Sequence, residues 1–288
     1  MSDPVVTRSA DVGLSVCLLA RDEEAELERC LAAVEWADEV VVVVDDRSRD
    51  GTERVARRMA SRVEVRAYAG DIDQKRHCTS LAKHDWVLIL DPDEVVRPEL
   101  AASIQRELAS RDQGDQGGGP DAYRLSRVTY HLGRWIRHGD FFPDWKLRLF
   151  RRSRAQFVGR DPHGRVEVAG RVGRLEGELE HYSYRDLSDQ LDRIQFFSDQ
   201  AAMALVAEGR PFRLRDLLLH PPARFLRGYF LKQGFRDALP GFVIAVASAF
   251  YVFAKYAKQW DRISRSRSDG SEGECPRDAS SSGATRAR

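Results

Sequence analysis

Cysteine and histidine patterns that bind metal are missing from this sequence. Its four cysteines lie at positions 17, 30, 78 and 275, and no two of them form a Cys-x-x-Cys pair. The seven histidines are scattered, and no pair has the spacing of a zinc-binding helix. Because Cys17 falls in a predicted buried strand, the cysteine pattern indicates a reduced, cytosolic protein.

An excess of charge of one sign is also missing. Lysine and arginine number 46 against 45 aspartates and glutamates, a formal net charge of +1. Bulk charge therefore gives no indication of nucleic-acid binding, and we expect no nucleic-acid partner. The first residues are polar and lack the apolar stretch of a signal peptide, so we expect no export. A chain of 288 residues can bury one α/β core and carry an appended element.

Long apolar runs are present, and two of them end in carboxylates. Trp86 to Leu90 is followed by Asp91 and Asp93, and residues 40–44, all valine, are followed by Asp45. Such runs are typical of strands buried on both faces, whose carboxyl ends face the ligand crevice of an open α/β sheet. Two acids one residue apart repel each other unless a cation lies between them, and a divalent metal is usual. A solvated acidic turn is the alternative.

Strand and helix patterns alternate from residue 12 to residue 110. Asp22 follows the first strand as a helix-start signal, and Asp50 can cap a helix from Thr52 to Arg58. The connections are short enough for right-handed βαβ units. Asp45 lies too early to cap that helix, so its carboxylate is available to a base imide or a ribose hydroxyl, unless it is only a solvated loop acid.

The rest of the chain divides by composition. A glycine-rich insert at 111–121 separates the first half from short strands with aromatic and basic residues at 122–184. A helical extension is expected at 185–263 and a disordered tail at 264–288. The predicted domains are therefore 1–184, with halves 12–110 and 122–184, then 185–263 and the tail.

The segment 212–263 combines basic and apolar residues. Its apolar run, residues 242–254, is shorter than the ~20 residues needed to span a bilayer. A basic, aromatic-rimmed helix of this size predicts interfacial attachment to an anionic membrane, with a buried helical subdomain or a homodimer interface as the alternative. The basic residues are Arg213, Arg215, Arg224, Arg227, Lys232 and Arg236.

Several motifs, in order, resemble the inverting glycosyltransferases of family 2 with the GT-A fold. They are residues 15–24 (SVCLLARDEE), the strand ending in Asp45, residues 50–52 (DGT), 74–75 (QK) and 90–94 (LDPDE). Three later motifs resemble the branch with the lipopolysaccharide-core β-1,4-glucosyltransferases: residues 133–138 (GRWIRH), 143–152 (PDWKLRLFRR) and 181–187 (HYSYRDL). The resemblance covers residues 12 to 262. It implies an α/β, Rossmann-like mixed sheet, here with a C-terminal helical, membrane-associating segment.

The resemblance also implies roles in donor binding. Asp45 would contact the uracil of a UDP-sugar, and Asp91 the ribose or diphosphate. Asp93, with His163 and His181 completing the shell, would hold Mg²⁺ or Mn²⁺ on the diphosphate, where the metal neutralises the leaving UDP. The expected nucleotide-sugar-binding residues are Ala20, Asp22, Asp45, Asp50, Lys75 and Asp91.

Inversion at the anomeric carbon needs a general base opposite the leaving group. Asp144 is the candidate, because neighbouring aromatic residues can desolvate it and stack on a sugar. An ion pair with Arg148 or Arg151 is the alternative role, and Asp161 and Glu167 are the rival bases. Trp135, Trp145 and Arg148 are expected to bind the acceptor.

The chain departs from the branch at two positions. The branch usually has asparagine at the position of Asp22, and it tends to have His-Glu where this chain has His163-Gly164. If that missing glutamate is the base elsewhere in the branch, Glu167 or Asp161 would have to replace it here.

The expected function is transfer of a hexose, glucose above all, from a UDP-sugar to a membrane-borne glycolipid such as lipopolysaccharide core. The protein would be peripheral on the inner face of the cytoplasmic membrane. Whether it forms a homo-oligomer is left open by the sequence. The alternatives are transfer to polyprenyl phosphate or a peptide, a nucleotidyltransferase, and a non-catalytic membrane adaptor with a degenerate transferase fold. A nucleotidyltransferase typically has a glycine-rich basic loop after the first strand, where this chain has Arg21-Asp22-Glu23-Glu24.

Overall fold

The computed structural model describes residues 12–112, 118–159 and 164–271. The chain divides into two compact units, Met1–Asp186 and Leu187–Arg288. The division lies two residues beyond the boundary expected from the sequence. The core of the predicted glycine-rich insert, residues 113–117, lies outside the described residues.

The first half of unit 1 alternates strand and helix. Its elements are β1 (Leu14–Ala20), α1 (Glu24–Ala32), β2 (Glu39–Asp45), α2 (Thr52–Met59), β3 (Arg62–Arg66), α3 (Asp71–Ser80) and β4 (Trp86–Leu90). β1 pairs in parallel with β2 and with β4, and β2 pairs in parallel with β3. This is the βαβ arrangement that the alternating pattern predicts.

The second half of unit 1 is mainly antiparallel. Its elements are β5 (Glu94–Val96), α4 (Pro98–Asp112), β6 (Ala122–His131), β7 (Arg134–Ile136), β8 (Asp144–Arg151), β9 (Ala155–Val158), β10 (Arg165–Val168) and β11 (Val172–His181). Among the described residues the main sheet has the order β3-β2-β1-β4-β8-β6-β11-β5, with β7 beside β6. β9 and β10 form a separate two-stranded sheet.

The apolar runs are buried because both faces of the sheet are covered. Alternate residues of β1 and β2 point to opposite faces. One face packs with Leu27 of α1, Val55 of α2 and Ile104 of α4. The other includes Cys17 and packs with Cys78 of α3. Each fully buried leucine or isoleucine contributes roughly 1.5–3 kcal/mol, so these helices fix the strands firmly. The described cysteines Cys17, Cys30 and Cys78 are buried and free.

Strand direction and register gather the candidate residues at one edge of the sheet. The parallel strands β1, β2 and β4 all end there, after Ala20, Asp45 and Leu90. The antiparallel strand β8 begins there with Asp144, which pairs with Arg127 of β6. β11 ends there with His181, paired with Thr129 of β6 and Glu94 of β5. Polar residues of β2, β5, β6, β8 and β11, and those that follow β4, therefore lie at one edge of the sheet.

Unit 2 is helical. It consists of α5 (Leu187–Ala207), α6 (Leu214–Leu226), a π-helical turn (Arg227–Leu231), a 3-10 turn (Gly234–Asp237) and α7 (Ala238–Ser271). Lys258 of α7 ties the helices together by donating to the carbonyl of Gln195 at 2.8 Å and to the Ser198 hydroxyl at 2.9 Å on α5. Ile244, Ala245, Ala247 and Ala254 of α7 are buried.

Helix α7 corrects one expectation. It continues to Ser271, past residue 264 where a tail was expected, and an Asp261–Arg265 pair one turn apart supports that extension. Only residues 272–288 of the predicted tail lie outside the described chain.

The segment Gly234–Ser266 includes the apolar run at 242–254 and is long and apolar enough to cross a membrane by length and composition, with 33% of its most apolar stretch buried. The predicted interfacial attachment of this run stays a prediction.

Candidate active site

A cavity of about 420 Å³ lies at the ends of β1 and β2. Ala20, Asp45 and Glu23 line it. Burial raises the pKa of the Glu23 carboxyl to about 7, and repulsion from Asp93 and Asp91 adds to this shift. Asp45 is 7% exposed and accepts hydrogen bonds from Arg47 Nε at 3.0 Å and Nη2 at 2.7 Å. These bonds hold the pKa of the Asp45 carboxyl at about 2. A charged carboxylate with free lone pairs thus faces a cavity large enough for a nucleoside.

Tyr68 gives the same cavity an aromatic wall. Its ring is 48% exposed, and the Arg47 guanidinium lies 5.3 Å from the ring centroid. A flat ring beside a hydrogen-bonding acid can stack on a base while the acid reads the base edge. The sequence did not indicate Tyr68 or Arg47, although an aromatic residue shortly after β3 was a usable signal.

Asp22 and Asp50 brace the loops around this cavity instead of lining it. Asp22 Oδ1 accepts from the Arg49 backbone at 2.7 Å, and its own N–H donates to Ser48 at 3.0 Å. Asp50 accepts from the backbone N–H groups of Thr52 at 2.9 Å and Glu24 at 3.0 Å. Asp22 has φ of 52°, a left-handed conformation that aspartate and asparagine adopt more readily than most residues. The branch's asparagine and this chain's Asp22 therefore meet the same backbone requirement.

A second cleft, of about 450 Å³, lies beside the end of β4. Asp91 and Lys75 line it, and Lys75 Nζ lies 3.0 Å from Asp71, which also lines the first cavity. Arg148 forms an ion pair with Asp91. Burial would raise the pKa of the Asp91 carboxyl, but Arg148, Lys75 and Arg127 outweigh it and hold that pKa well below its usual range. The cleft therefore contains fixed charges of both signs.

A chain of ion pairs connects Asp91 with Asp144. Glu94, fully buried, accepts from Arg148 Nη2 at 2.6 Å and from Arg127 Nη1 at 3.0 Å. Arg127 also donates from Nε at 2.9 Å and from Nη2 at 2.7 Å to Asp144 Oδ2. Each buried charge is paired, as a low-dielectric site requires. The sequence did not indicate Arg127 or the role of Glu94, because the contacts join residues 33 and 54 positions apart.

Asp144 is half-buried at the start of β8, with 28% of its side chain exposed. Its partners are Arg127 and Lys146, the latter at 3.1 Å, and not Arg148 or Arg151 as the alternative role proposed. Burial would raise the pKa of the carboxyl, but these two cations lower it below its ordinary value. Asp144 is therefore ionised at neutral pH.

The candidate metal ligands Asp93 and His181 lie together, with Asp93 Oδ2 at 3.4 Å from His181 Nε2. His181 Nδ1 lies 3.2 Å from the Thr129 hydroxyl, which fixes the ring. His163 lies outside the described residues. Among the described residues no three such side chains are grouped as a metal cage. Asp93, with Glu23 and Asp91 nearby, fits Mg²⁺ or Mn²⁺ held mainly by diphosphate oxygens, since Mg²⁺ usually takes one or two carboxylates plus substrate phosphates. His181 Nε2 also lies 3.4 Å from Arg127 Nη1.

At position 164, where the branch tends to have glutamate, the neighbouring Ile72 leaves no room for a Cβ. A Cβ at Gly164 would collide with the Ile72 side chain. The rival base Glu167 lies on β10, paired with Arg165 at 2.6 Å, and its side chain is 44% exposed. Asp161 lies outside the described residues. Among the described candidates, Asp144 alone is part of the charge network.

The three expected acceptor residues lie in two places. Trp145 and Arg148 line the 450 Å³ cleft, and Arg174 lies 4.6 Å from the Trp145 ring centroid. Trp135 packs with Tyr130 and Tyr182, at centroid distances of 5.1 and 5.5 Å. The structure thus brings Asp45, Lys75, Asp91, Asp93, Asp144 and His181 to one edge of the sheet and leaves Trp135 in a separate aromatic cluster.

A mixed sheet with a nucleoside-sized cavity and carboxylates at its strand ends is typical of enzymes that bind a nucleotide. The chain belongs to glycosyl transferase family 2, whose profile matches residues 15–169. It is 28% identical to an uncharacterized glycosyltransferase of Rickettsia typhi, covering 88% of this chain and 89% of that one. It is 27% identical to the lipopolysaccharide core biosynthesis glycosyltransferase LpsC of Rhizobium meliloti, covering 86% and 92%. The mannosyltransferase PcManGT of Pyrobaculum calidifontis, solved with GDP-Man and Mn²⁺, covers 86% and 87% at 17% identity and a TM-score of 0.47.

The family match confirms the resemblance drawn from the motifs. The protein is an enzyme, a glycosyltransferase that resembles the lipopolysaccharide-core branch, and it has the predicted GT-A type of mixed α/β sheet. The nucleotidyltransferase and non-catalytic adaptor alternatives are set aside by the same match.

Proposed function

We propose that the protein transfers a hexose, glucose in the first instance, from a UDP-sugar to a membrane-borne glycolipid with inversion at the anomeric carbon. Transfer to a polyprenyl phosphate or a peptide is the alternative. The observation that carries the proposal is the ion-pair chain from Asp91 to Asp144, which fixes a donor-side acid and an ionised base relative to each other.

The donor would occupy both cavities, which have Asp71 in common as a lining residue. Asp45 and Tyr68 suit the uracil, as hydrogen-bond acceptor and stacking surface. The diphosphate would then lie toward Asp91, where Lys75 supplies a cation. Asp93 and His181 would hold the divalent cation, which supplies charge neutralisation of the leaving UDP when bound.

Asp144 would act as the general base. Its carboxylate takes the proton of the acceptor hydroxyl while that oxygen bonds to the anomeric carbon, and the bond from that carbon to UDP breaks on the opposite face. Arg127 holds Asp144 through two hydrogen bonds, which orients one carboxylate oxygen and leaves the other toward Lys146. Such positioning removes the entropy cost of bringing base and hydroxyl together.

The acceptor class is proposed from the relatives and from unit 2. LpsC is named for lipopolysaccharide core biosynthesis, and its likeness runs over most of both chains. Unit 2 exposes apolar side chains on its helices, with Leu218 60%, Leu231 80% and Leu239 70% exposed. Apolar side chains interleaved with basic ones suit an interface with anionic lipid. We therefore place the enzyme on the inner face of the cytoplasmic membrane, in reach of a lipid-anchored acceptor.

A donor screen tests the reaction. We expect UDP-glucose to raise the melting temperature more than other nucleotide-sugars, and only with Mn²⁺ or Mg²⁺ present. We also expect UDP release with delipidated lipopolysaccharide core as acceptor, and β-linked product by NMR. A product with retained configuration, or stabilisation by GDP-sugars alone, would contradict the proposal.

A vesicle assay tests the location. The full chain should sediment with vesicles of anionic lipid, and charge reversal at Arg224, Arg227 and Lys232 should weaken this at low salt. The matched control is charge reversal at Arg57 and Arg58, exposed residues of α2. A wild-type chain that stays in the supernatant would leave the helices of unit 2 as a core or a dimer interface.

A further inference from the structure

A third cavity, of about 230 Å³, lies against Asp144 on the antiparallel side of the sheet. It is formed by the ends of β6 and β11 and by the loop that precedes β8. Asp144 and the candidate metal ligand His181 line it, so it adjoins both the proposed base and the proposed diphosphate site. Phe141, another lining residue, was expected from the sequence as an aromatic neighbour of Asp144, and Ser183 and Tyr184 lie in the motif at 181–187.

One wall of this cavity is aromatic and rigid. The rings of Phe141 and Tyr184 stack, with centroids 6.0 Å apart and planes inclined by 24°. His131, 1% exposed, supports both rings from β6, at 5.0 Å from Tyr184 and 6.2 Å from Phe141. Phe141 and Tyr184 both line the cavity, and an aromatic ring suits the apolar C–H face of a pyranose.

The remaining walls carry hydrogen-bonding groups of both kinds. Arg127 and the hydroxyls of Thr129 and Ser183 are donors, and the carboxylates of Asp140 and Asp144 are acceptors. A sugar presents hydroxyls that both donate and accept around an apolar ring face. A few polar groups beside an aromatic wall are the pattern of a small-molecule site.

The size of the cavity limits its occupant. At about 30 Å³ for each water molecule, 230 Å³ corresponds to about eight waters. That volume accommodates one monosaccharide ring. The cavity opens to solvent, so a longer glycan could place its terminal residue there and extend outward.

We propose that this cavity is the acceptor subsite, which takes one terminal sugar ring with its apolar face on Phe141 and Tyr184 and its reacting hydroxyl at Asp144. The proposal rests on the proposed function and adds the place and size of the acceptor. The sequence predicted that Trp135, Trp145 and Arg148 bind the acceptor. The proposal assigns this role instead to residues of the loop before β8 and of the segment after β11.

Separate readouts for donor and acceptor test this subsite. Phe141→Ala and Tyr184→Leu should each raise the KM for delipidated lipopolysaccharide core about tenfold or more, because the stacking surface is lost. Hydrolysis of UDP-glucose without acceptor, which needs the donor site and the metal, should stay within about twofold of wild type. Phe196→Ala, an exposed aromatic residue of α5, is the matched control and should leave both values unchanged.

One further variant keeps the test decisive if an aromatic truncation impairs folding. Ser183→Leu narrows the cavity and keeps both rings, so it should also raise the acceptor KM and spare UDP-glucose hydrolysis. An acceptor KM unchanged in Phe141→Ala, Tyr184→Leu and Ser183→Leu overturns the subsite, as does a rise found only in Trp135→Ala. A wild-type enzyme that makes no glycoside from UDP-glucose refutes the proposed function itself, which is a different result.

Discussion

The two halves of unit 1 bring residues to the site by different means. In the parallel half, β1, β2 and β4 are continuous apolar runs, and their acids follow directly in the sequence at Asp45 and Asp91. In the antiparallel half, the strands alternate or are short, and Arg127 lies within β6, several residues before its end. In the parallel strands the candidate acids follow a recognisable apolar run. In the antiparallel strands the candidate residues lie within an alternating polar and apolar pattern that does not distinguish them.

The halves also differ in how their charges are held. Asp45 in the parallel half is bound by Arg47, two residues away. Asp144 in the antiparallel half is bound by Arg127 on the neighbouring strand, and Arg127 in turn by Glu94. The first pair can form in a local loop, but the second needs the finished sheet. We therefore expect donor binding and acceptor activation to be separable by mutation.

The largest effect is expected at the donor's metal. Asp93→Ala should abolish transfer and remove the Mn²⁺-dependent rise in melting temperature caused by UDP, a linkage effect of about 2.7 kcal/mol at ligand 100-fold above its Kd. The fold should persist, because a strand-end acid holds no core together. Asp46→Ala, an exposed acid of the neighbouring loop, is the control. Normal turnover in Asp93→Ala would rule out the metal assignment.

A smaller loss of activity is expected on the acceptor side. Asp144→Asn keeps the shape and removes the proton acceptor, so kcat should fall about 10²–10⁴-fold while the Kd for UDP-glucose is unchanged. Isothermal titration and initial rates measure the two quantities. Glu167→Gln and Asp161→Asn serve as comparisons. If Glu167→Gln were inactive and Asp144→Asn nearly normal, the base would lie on β10 and the assignment would be wrong.

The link between the halves can be broken at Glu94. Glu94→Gln leaves Arg127 and Arg148 short of a buried counter-charge, and removing one partner of such a group costs about 3–5 kcal/mol. We expect the free energy of unfolding to fall by that magnitude, seen as a lower urea midpoint, and kcat to fall as well. Glu99→Gln, an exposed glutamate on α4, should change stability by less than about 0.5 kcal/mol. Equal midpoints for the two variants would show that the network does not couple the halves.

The smallest effect is expected at Asp45. The folded-state pKa of its carboxyl is about 2, below the ordinary value of 3.8. A depressed pKa gives stability that is present above pH 4 and is lost as pH falls toward about 2. Wild type should therefore lose about 1 kcal/mol more than Asp45→Asn between about pH 5 and about pH 2.5, after allowance for solvent screening. Parallel pH profiles for the two proteins would contradict the role of the Arg47 pair.

The sequence by itself determined the family and the α/β fold, and it indicated the acids that we propose for the donor site. Its signals there are local, because a buried parallel strand is a continuous apolar run and its ligand-facing acid comes next in the chain. Asp45, Asp91 and Asp93 could be named on that basis. The family match over residues 15–169 agrees with the predicted family, and the roles of these acids stay predictions.

Only the tertiary structure decided which groups meet those acids. Arg127 reaches Asp144 across a strand pair, and Phe141 reaches Tyr184 across a long stretch of sequence. Such contacts depend on strand register, where a slip of one residue would turn each side chain to the opposite face. Sequence spacing carries no record of that register, so the ion-pair chain and the 230 Å³ cavity became visible only in the folded sheet.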